Sequence, residues 1–209
     1  MRLGRAAGAR IGAHAVLLAT TLFVLFPYAW MLATSIKPTA ELVELPLRWL
    51  PRVATLANYA AILDDPRFVR SLLNSTLVAV AVTALSLALS VPAAYGLTRL
   101  TRHGGRGMLI TILASQFFPP MVFFVPFYMI LQFAGLLDTL GGLVFAYLSV
   151  TLPITAWMVA TSLRDIPGEL EEAARIDGCT ELGVLRRIVL PLAAPGIVTA
   201  GIFAFVLSW

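Results

Sequence analysis

Charge is scarce in this chain of 209 residues. Asp, Glu, Lys and Arg together make up 12% of it, against about a quarter in an ordinary soluble domain, while 59% is hydrophobic and the mean hydropathy is +0.89. That composition excludes a water-soluble globular fold, because too little polar surface is present to cover the apolar mass, and it leaves a polytopic membrane protein. Cysteine occurs once, at Cys179, which excludes an internal disulfide and any multi-cysteine metal site; the two histidines, His14 and His103, stand far apart in the chain. No metal site is expected. Lysine also occurs once, and Lys37 is followed by Pro38, so the phosphate-binding pattern G-x-x-x-x-G-K-S/T is not encoded. Carboxylates, His and Cys nowhere gather as a catalytic set. The chain is therefore expected to be no enzyme, to have no catalytic residue and to bind no cofactor itself.

What is present is a series of apolar runs. Spans are expected over about residues 14–35, 72–97, 108–133 and 140–163, each long enough for the ~20 residues that a crossing needs. The first run is too long for a signal peptide and carries Pro27, Tyr28 and Trp30 near its far end. A further run opens at about Pro195 and reaches Trp209, short of a full crossing, so the chain is expected to be part of a longer one. Counting Lys and Arg by side, the amino terminus and the 99–106 and 164–187 loops hold ten, and the alternate loops hold five. The positive-inside rule then puts the amino terminus and the 164–194 loop in the cytoplasm. Scattered in this way, arginine and lysine explain the net charge of +4 by orientation, and no nucleic-acid partner is expected.

The one long polar stretch between apolar runs is Asp165 to Pro191. It reads as two short amphipathic helices. Asp165 is placed to cap the first, Pro167 suits its opening turn, and Glu169, Glu171 and Glu172 favour the positive end of its dipole. Gly178 ends that helix, since a left-handed residue after a helix costs a side-chain-bearing residue roughly 1–2 kcal/mol. Thr180 starts the second. Spacing puts Ile166, Leu170, Ala173 and Ala174 on one side of the first helix, and Leu182, Leu185 and Val189 on one side of the second. Periodicity alone describes a hairpin lying on a membrane surface.

The residues in that stretch say more. Glu172-Ala173-Ala174, then Gly178, then Ile188-Val189-Leu190-Pro191 resembles the EAA motif of the inner-membrane permease subunits of binding-protein-dependent ABC importers, with every fixed position present at the family's spacing. The segment 35–63, through Lys37-Pro38-Thr39 and Asn58-Tyr59, resembles the first external loop of the carbohydrate-type permeases. The resemblance implies an all-α polytopic helix bundle with the type I ABC importer permease fold, one permease domain over 1–209 and a cytoplasmic coupling loop over 164–194. It implies that Glu172, Ala173, Ala174, Gly178, Leu182, Ile188 and Pro191 dock on a separate ATPase. The implied partners are a second permease subunit, an ABC ATPase dimer carrying ATP and Mg, an external solute-binding protein and membrane lipid, in a cell inner membrane.

The translocation pathway is expected along the third span. Pro119 and Pro120 break the helix there, and irregular backbone at membrane depth is tolerated only against protein or a wet cavity. Gln116, Phe123, Phe127 and Tyr128 accompany that break and suit a sugar, whose hydroxyls need partners and whose ring faces lie on aromatics. The alternative for the aromatics is packing against lipid or neighbouring helices. Asn74, Ser75, Thr76, Tyr147, Ser149 and Thr151 are weaker pathway candidates. The function expected is permeation of a sugar or sugar-like solute in an ATP-driven importer. A permease for amino acids or peptides, an ion-driven carrier and a non-transporting scaffold are the alternatives. No span carries a charge, which weakens a proton-driven carrier.

Overall fold

The computed structural model of the protein describes residues 2–101 and 104–209, with side chains from residue 12 onward except at 120; His103 and the side chain of Pro120 lie outside them. Among the described residues every regular element is helical: α1 (Arg2–Ser35), α2 (Thr39–Leu42), α3 (Ala57–Leu63), α4 (Pro66–Tyr95), α5 (Gly105–Ala114), α6 (Pro120–Phe133), α7 (Leu140–Arg164), α8 (Gly168–Ile176), α9 (Glu181–Val184) and α10 (Leu190–Ser208). Wider π turns at Gly96–Leu100 and Leu185–Val189 extend α4 and join α9 to α10. Among the described residues, four helical stretches are long and apolar enough to cross a membrane: Gly12–Ser35, Pro66–Leu100, Leu140–Arg164 and Glu181–Ser208. The chain divides into two compact units, Met1–Arg70 and Ser71–Trp209.

In the first unit the loop after α1 is tied down by the residues that carry its family likeness. Lys37 is 2% exposed. Its Nζ donates to the Arg48 carbonyl and lies 4.8 Å from the centre of the Trp30 ring. Trp49 stacks edge-on against Trp30 at 5.1 Å and meets Phe26 at 5.7 Å. Asn58 Nδ2 donates to the carbonyls of Ser35 (2.9 Å) and Lys37 (2.7 Å), and the Tyr59 hydroxyl meets Ser35 Oγ at 2.6 Å. The loop is ordered and holds only the short helices α2 and α3, and Lys37, Asn58 and Tyr59 are its fasteners.

The second unit is built on α7, which packs most extensively along α10. Lipid tails are as apolar as Leu, so such helices associate through close approach of small residues and shared hydrogen bonds. Both are visible. A Cβ added at Gly196 would lie 1.9 Å from Ser162 Oγ and 2.4 Å from its Cβ, so only glycine lets α10 sit that close to α7. Between α4 and α7, Ser86 and Thr151 share a hydrogen bond of 2.9 Å, and Ser90 and Thr155 share one of 2.7 Å. All four are buried. Thr151, expected near the pathway, is thus a helix-pairing residue, because Ser86 takes its hydroxyl across the interface.

Three helices differ in path or bounds from the apolar runs. The 108–133 run is bent at the expected proline break, where Gly105–Phe117 and Met121–Phe133 meet at 97°. A residue preceding proline is pushed out of the helical region, and two prolines in a row do this twice, leaving Phe118 at ψ 132° and Pro119 at ψ 128°. The helix of the second span begins at Pro66, ahead of the apolar run that opens near 72, and Asp65 Oδ1 accepts from the Arg67 amide at 2.9 Å at its start. The last apolar run is continuous with the hairpin, since helix already runs from Glu181 through Pro195 to Ser208. The π turn just before Pro191 widens the backbone where the proline ring would otherwise crowd the carbonyl of residue 187.

Candidate functional site

The polar hairpin is formed by α8 and α9. Asp165 does not cap α8. It closes α7 instead, in helical geometry at φ −74° and ψ −12°, and because Ile166 precedes a proline, α8 starts only beyond Pro167. The other end matches the sequence expectation closely. Gly178 is left-handed at φ +86°, the Cys179 amide bonds back to the Ala174 carbonyl, and the Gly178 amide bonds to that of Arg175, both at 3.0 Å. This is the Schellman arrangement, which satisfies carbonyls that a helix end would leave bare. Thr180 then caps α9, its Oγ1 accepting from the Gly183 amide at 3.2 Å.

The two sides of α8 are not those that spacing predicts. Glu171 (2% exposed) and Ala174 (6%) face inward, while Leu170, Glu172, Ala173, Ile176 and Gly178 are exposed. The motif alanines are therefore separated: Ala174 packs with Leu163, Ile166 and Val184, and Ala173 stays outside beside Glu172. On the second arm Leu182 is exposed, and the buried residues are Val184 and Val189. They lie five apart because the π turn adds a residue to the helical repeat between them. Ile188 is half-buried against the core, and Pro191 is exposed on the continuous helix.

A carboxylate is buried here because it is paired. Arg99, in the π turn that ends α4, brings Nε to 2.7 Å from Glu171 Oε1, an ion pair off the hydrogen-bond direction. Its Nη2 donates at 2.7 Å to the carbonyls of Leu163 and Ile166, at the end of α7, where helix carbonyls are bare and a cation is favoured. Arg175 approaches Glu171 Oε2 at 3.5 Å and forks onto Glu181 at 2.8 and 3.2 Å. Tyr95 of α4 donates to Glu181 Oε2 at 3.1 Å. Hydrogen bonding to Glu181 raises the Arg175 guanidinium further above its ordinary pKa, so it stays charged throughout the physiological range. Two charges in a low-dielectric site are costly to desolvate unless paired, and removing one partner of such a pair typically costs about 3–5 kcal/mol.

Sequence reasoning singled out none of Tyr95, Arg99, Glu171, Arg175 and Glu181 as site residues. The spacing of Glu171 and Arg175, one helical turn apart, is a signal for that pair. The pathway candidates are dispersed: Gln116 is half-buried on the short turn Ser115–Phe117, Pro119 caps α6, Phe123 meets Phe118 at 6.1 Å, and Phe127 packs on Phe145 of α7 at 5.6 Å. Tyr128 is exposed. Among the described residues no cluster of His, Cys, Asp and Glu could hold a metal ion.

Residues 86–209, which include the whole α8–α9 hairpin, match the family described as binding-protein-dependent transport system inner membrane component. The chain belongs to that family. Among the relatives of this permease, the sulfoquinovosyl glycerol transport system permease protein SmoH of Agrobacterium fabrum is 42% identical over 185 residues, covering 88% of this chain and 65% of SmoH. The diacetylchitobiose uptake system permease protein DasC of Streptomyces coelicolor is 32% identical over 193 residues, covering 91% of this chain and 70% of DasC. This chain thus spans about two thirds of the length of these curated relatives. A solved bacterial ABC transporter, involved in the import of the acidic polysaccharide alginate, matches with a TM-score of 0.76 and 26% identity over 100% of this chain and 72% of that one. The permease is a multi-pass membrane protein with the helical fold of ABC importer permeases.

Proposed function

We propose that the chain is a permease subunit of an ATP-driven importer that passes a sugar or sugar-like solute, received from an external binding protein, across a cell inner membrane. The observation that carries the reading is the α8–α9 hairpin, whose Glu172-Ala173 edge is exposed next to a left-handed Gly178 while Glu171 and Ala174 hold the other side to the spans. A polar helix fixed on one side and bare on the other suits docking to a second protein. The sugar class is supported by the transport systems named for SmoH and DasC and by the ordered Lys37–Tyr59 loop.

In this reading the amino terminus and the hairpin are cytoplasmic, a second permease completes the pathway, and ATP and Mg are held by a pair of ATPase subunits. ATP binding closes that pair, α8 moves with it, and the spans switch between inward-facing and outward-facing states. The ATPase must bind one permease state more tightly than the other, since equal affinity shifts nothing. The deciding test reconstitutes the full transporter with its binding protein in vesicles and offers a panel of radiolabelled mono- and oligosaccharides. Uptake that needs both ATP and the binding protein is the expected result. Uptake driven by an ion gradient without the ATPase overturns it.

A further inference from the structure

Besides its packing on α9 and the π turn that follows, the place of Ala174 in the core with Leu163 and Ile166 and the Arg175–Glu181–Tyr95 chain, α8 is fastened to the ends of two other helices at once by one side chain. Arg99 reaches Glu171 with Nε and the Leu163 and Ile166 carbonyls with Nη2, so a single guanidinium fork joins the α4 terminus, the α7 terminus and α8. On another side α8 is poorly supported. A cleft of about 370 Å³, lined by Ser162, Asp165, Leu170, Leu192 and Gly196 among others, separates it from α10. Glu171 is 2% exposed and faces away from the bare Glu172-Ala173 edge. Its carboxylate is thus committed to this chain and is not offered to a partner.

We infer that Arg99 and Glu171 are positioning residues that make α8, α4 and α7 move as one body, so that displacement of the docking helix reaches the spans through this ion pair. The inference rests on the importer reading above. Backbone packing carries α8 motion to α10, through α9 and the π turn; the guanidinium holds α8 to α4 and α7 together, beside the Ala174 packing and the Glu181–Tyr95 bond, and α4 and α7 are themselves laced together by Ser86–Thr151 and Ser90–Thr155. Arginine suits the task because its planar fork holds two acceptor directions at once, which a lysine ammonium on a flexible stem does not.

The test uses the full transporter with Cys179→Ser in the permease and spin labels at two exposed positions, Ile176 on α8 and Leu100 beside Arg99. The label-to-label distance is measured without nucleotide and after trapping with Mg-ATP and vanadate. With the ion pair intact, the distribution should be narrow and the same in both states. In Glu171→Gln, which keeps the shape and removes the charge, it should broaden and shift on trapping, and ATP hydrolysed per solute imported should rise about tenfold. Arg99→Lys, which keeps the charge but not the fork, should shift in the same direction and serves if Glu171→Gln assembles poorly. A narrow, unshifted distance in both variants overturns the inference, as does a wild-type distance that changes on trapping. Loss of the ATPase from both variants also overturns it, since the pair would then belong to docking. Absence of the ATPase from the wild-type complex is a separate failure, of the importer reading, and the inference falls with it.

Discussion

Ser90 and Thr155 share a buried hydrogen bond of 2.7 Å between α4 and α7, one turn along from the Ser86–Thr151 bond of 2.9 Å on the same two helices. The hydroxyls of the first pair can also return to their own helices: Ser90 Oγ donates to the Ser86 carbonyl, and Thr155 Oγ1 donates to the Thr151 and Leu152 carbonyls in alternative geometries. Losing one partner therefore does not strand the other. Ser90→Ala is expected to lower stability by only about 0.6 kcal/mol, the typical net value for a hydrogen bond between membrane helices. Ser90→Leu should cost about 1–3 kcal/mol, because it wedges the helices apart. Thermal unfolding of the purified permease in detergent measures both.

Gly196 and Ser162 make a sharper case. Gly196→Ala puts a methyl group 2.4 Å from Ser162 Cβ, which rotation of the hydroxyl cannot relieve, so a loss of about 1–3 kcal/mol is expected. Ser162→Gly should restore most of it in the double variant. A double variant no more stable than Gly196→Ala alone would show that the contact is not what limits the approach of α10 to α7.

At Gly178 a Cβ would meet nothing within 4 Å, so the cost of Gly178→Ala is one of backbone conformation alone, roughly 1–2 kcal/mol. Gly178→Asp adds charge and bulk on the proposed docking edge, and Glu172→Lys reverses a charge there. Both are expected to leave membrane insertion unchanged while the ATPase is lost from the purified complex. Normal ATPase stoichiometry and normal stimulated hydrolysis in both variants would return the hairpin to a surface-bound helix pair.

Lys37→Met should loosen the loop over residues 38–56. It removes the donor to the Arg48 carbonyl and the cation over Trp30 without adding a clash. Trypsin should then cut at Arg48 and Arg52 several-fold faster, as expected when a local opening free energy falls by about 1 kcal/mol. Equal cleavage rates in the two proteins would place the stability of the loop in Asn58, Tyr59 and Trp49.

Gln116 lies at the 97° corner between α5 and α6. In the proposed pathway, Gln116→Leu should reduce solute uptake and leave assembly with the ATPase intact. Unchanged uptake and selectivity in a well-assembled complex would make it a packing residue.

The segments and the hairpin turn were legible in the chain because their causes are local. Crossing a membrane is a matter of contiguous apolar length, the Gly178 turn follows from what a left-handed residue costs, and Thr180 caps with its own hydroxyl three residues ahead. Even the break at Pro119-Pro120 was legible, though its angle was not, since proline removes donors without choosing a direction. Contacts between distant residues were decided by the folded chain. Arg99 meets the Ile166 carbonyl 67 positions away, and each hydroxyl pair joins residues 65 apart; no period in the sequence links them. Burial of Glu171 in place of Leu170 runs against hydrophobic patterning, because a carboxylate goes inside only where a cation arrives from another helix. The five-residue step from Val184 to Val189 likewise became readable only once α10 had fixed which side of the π turn faces α7.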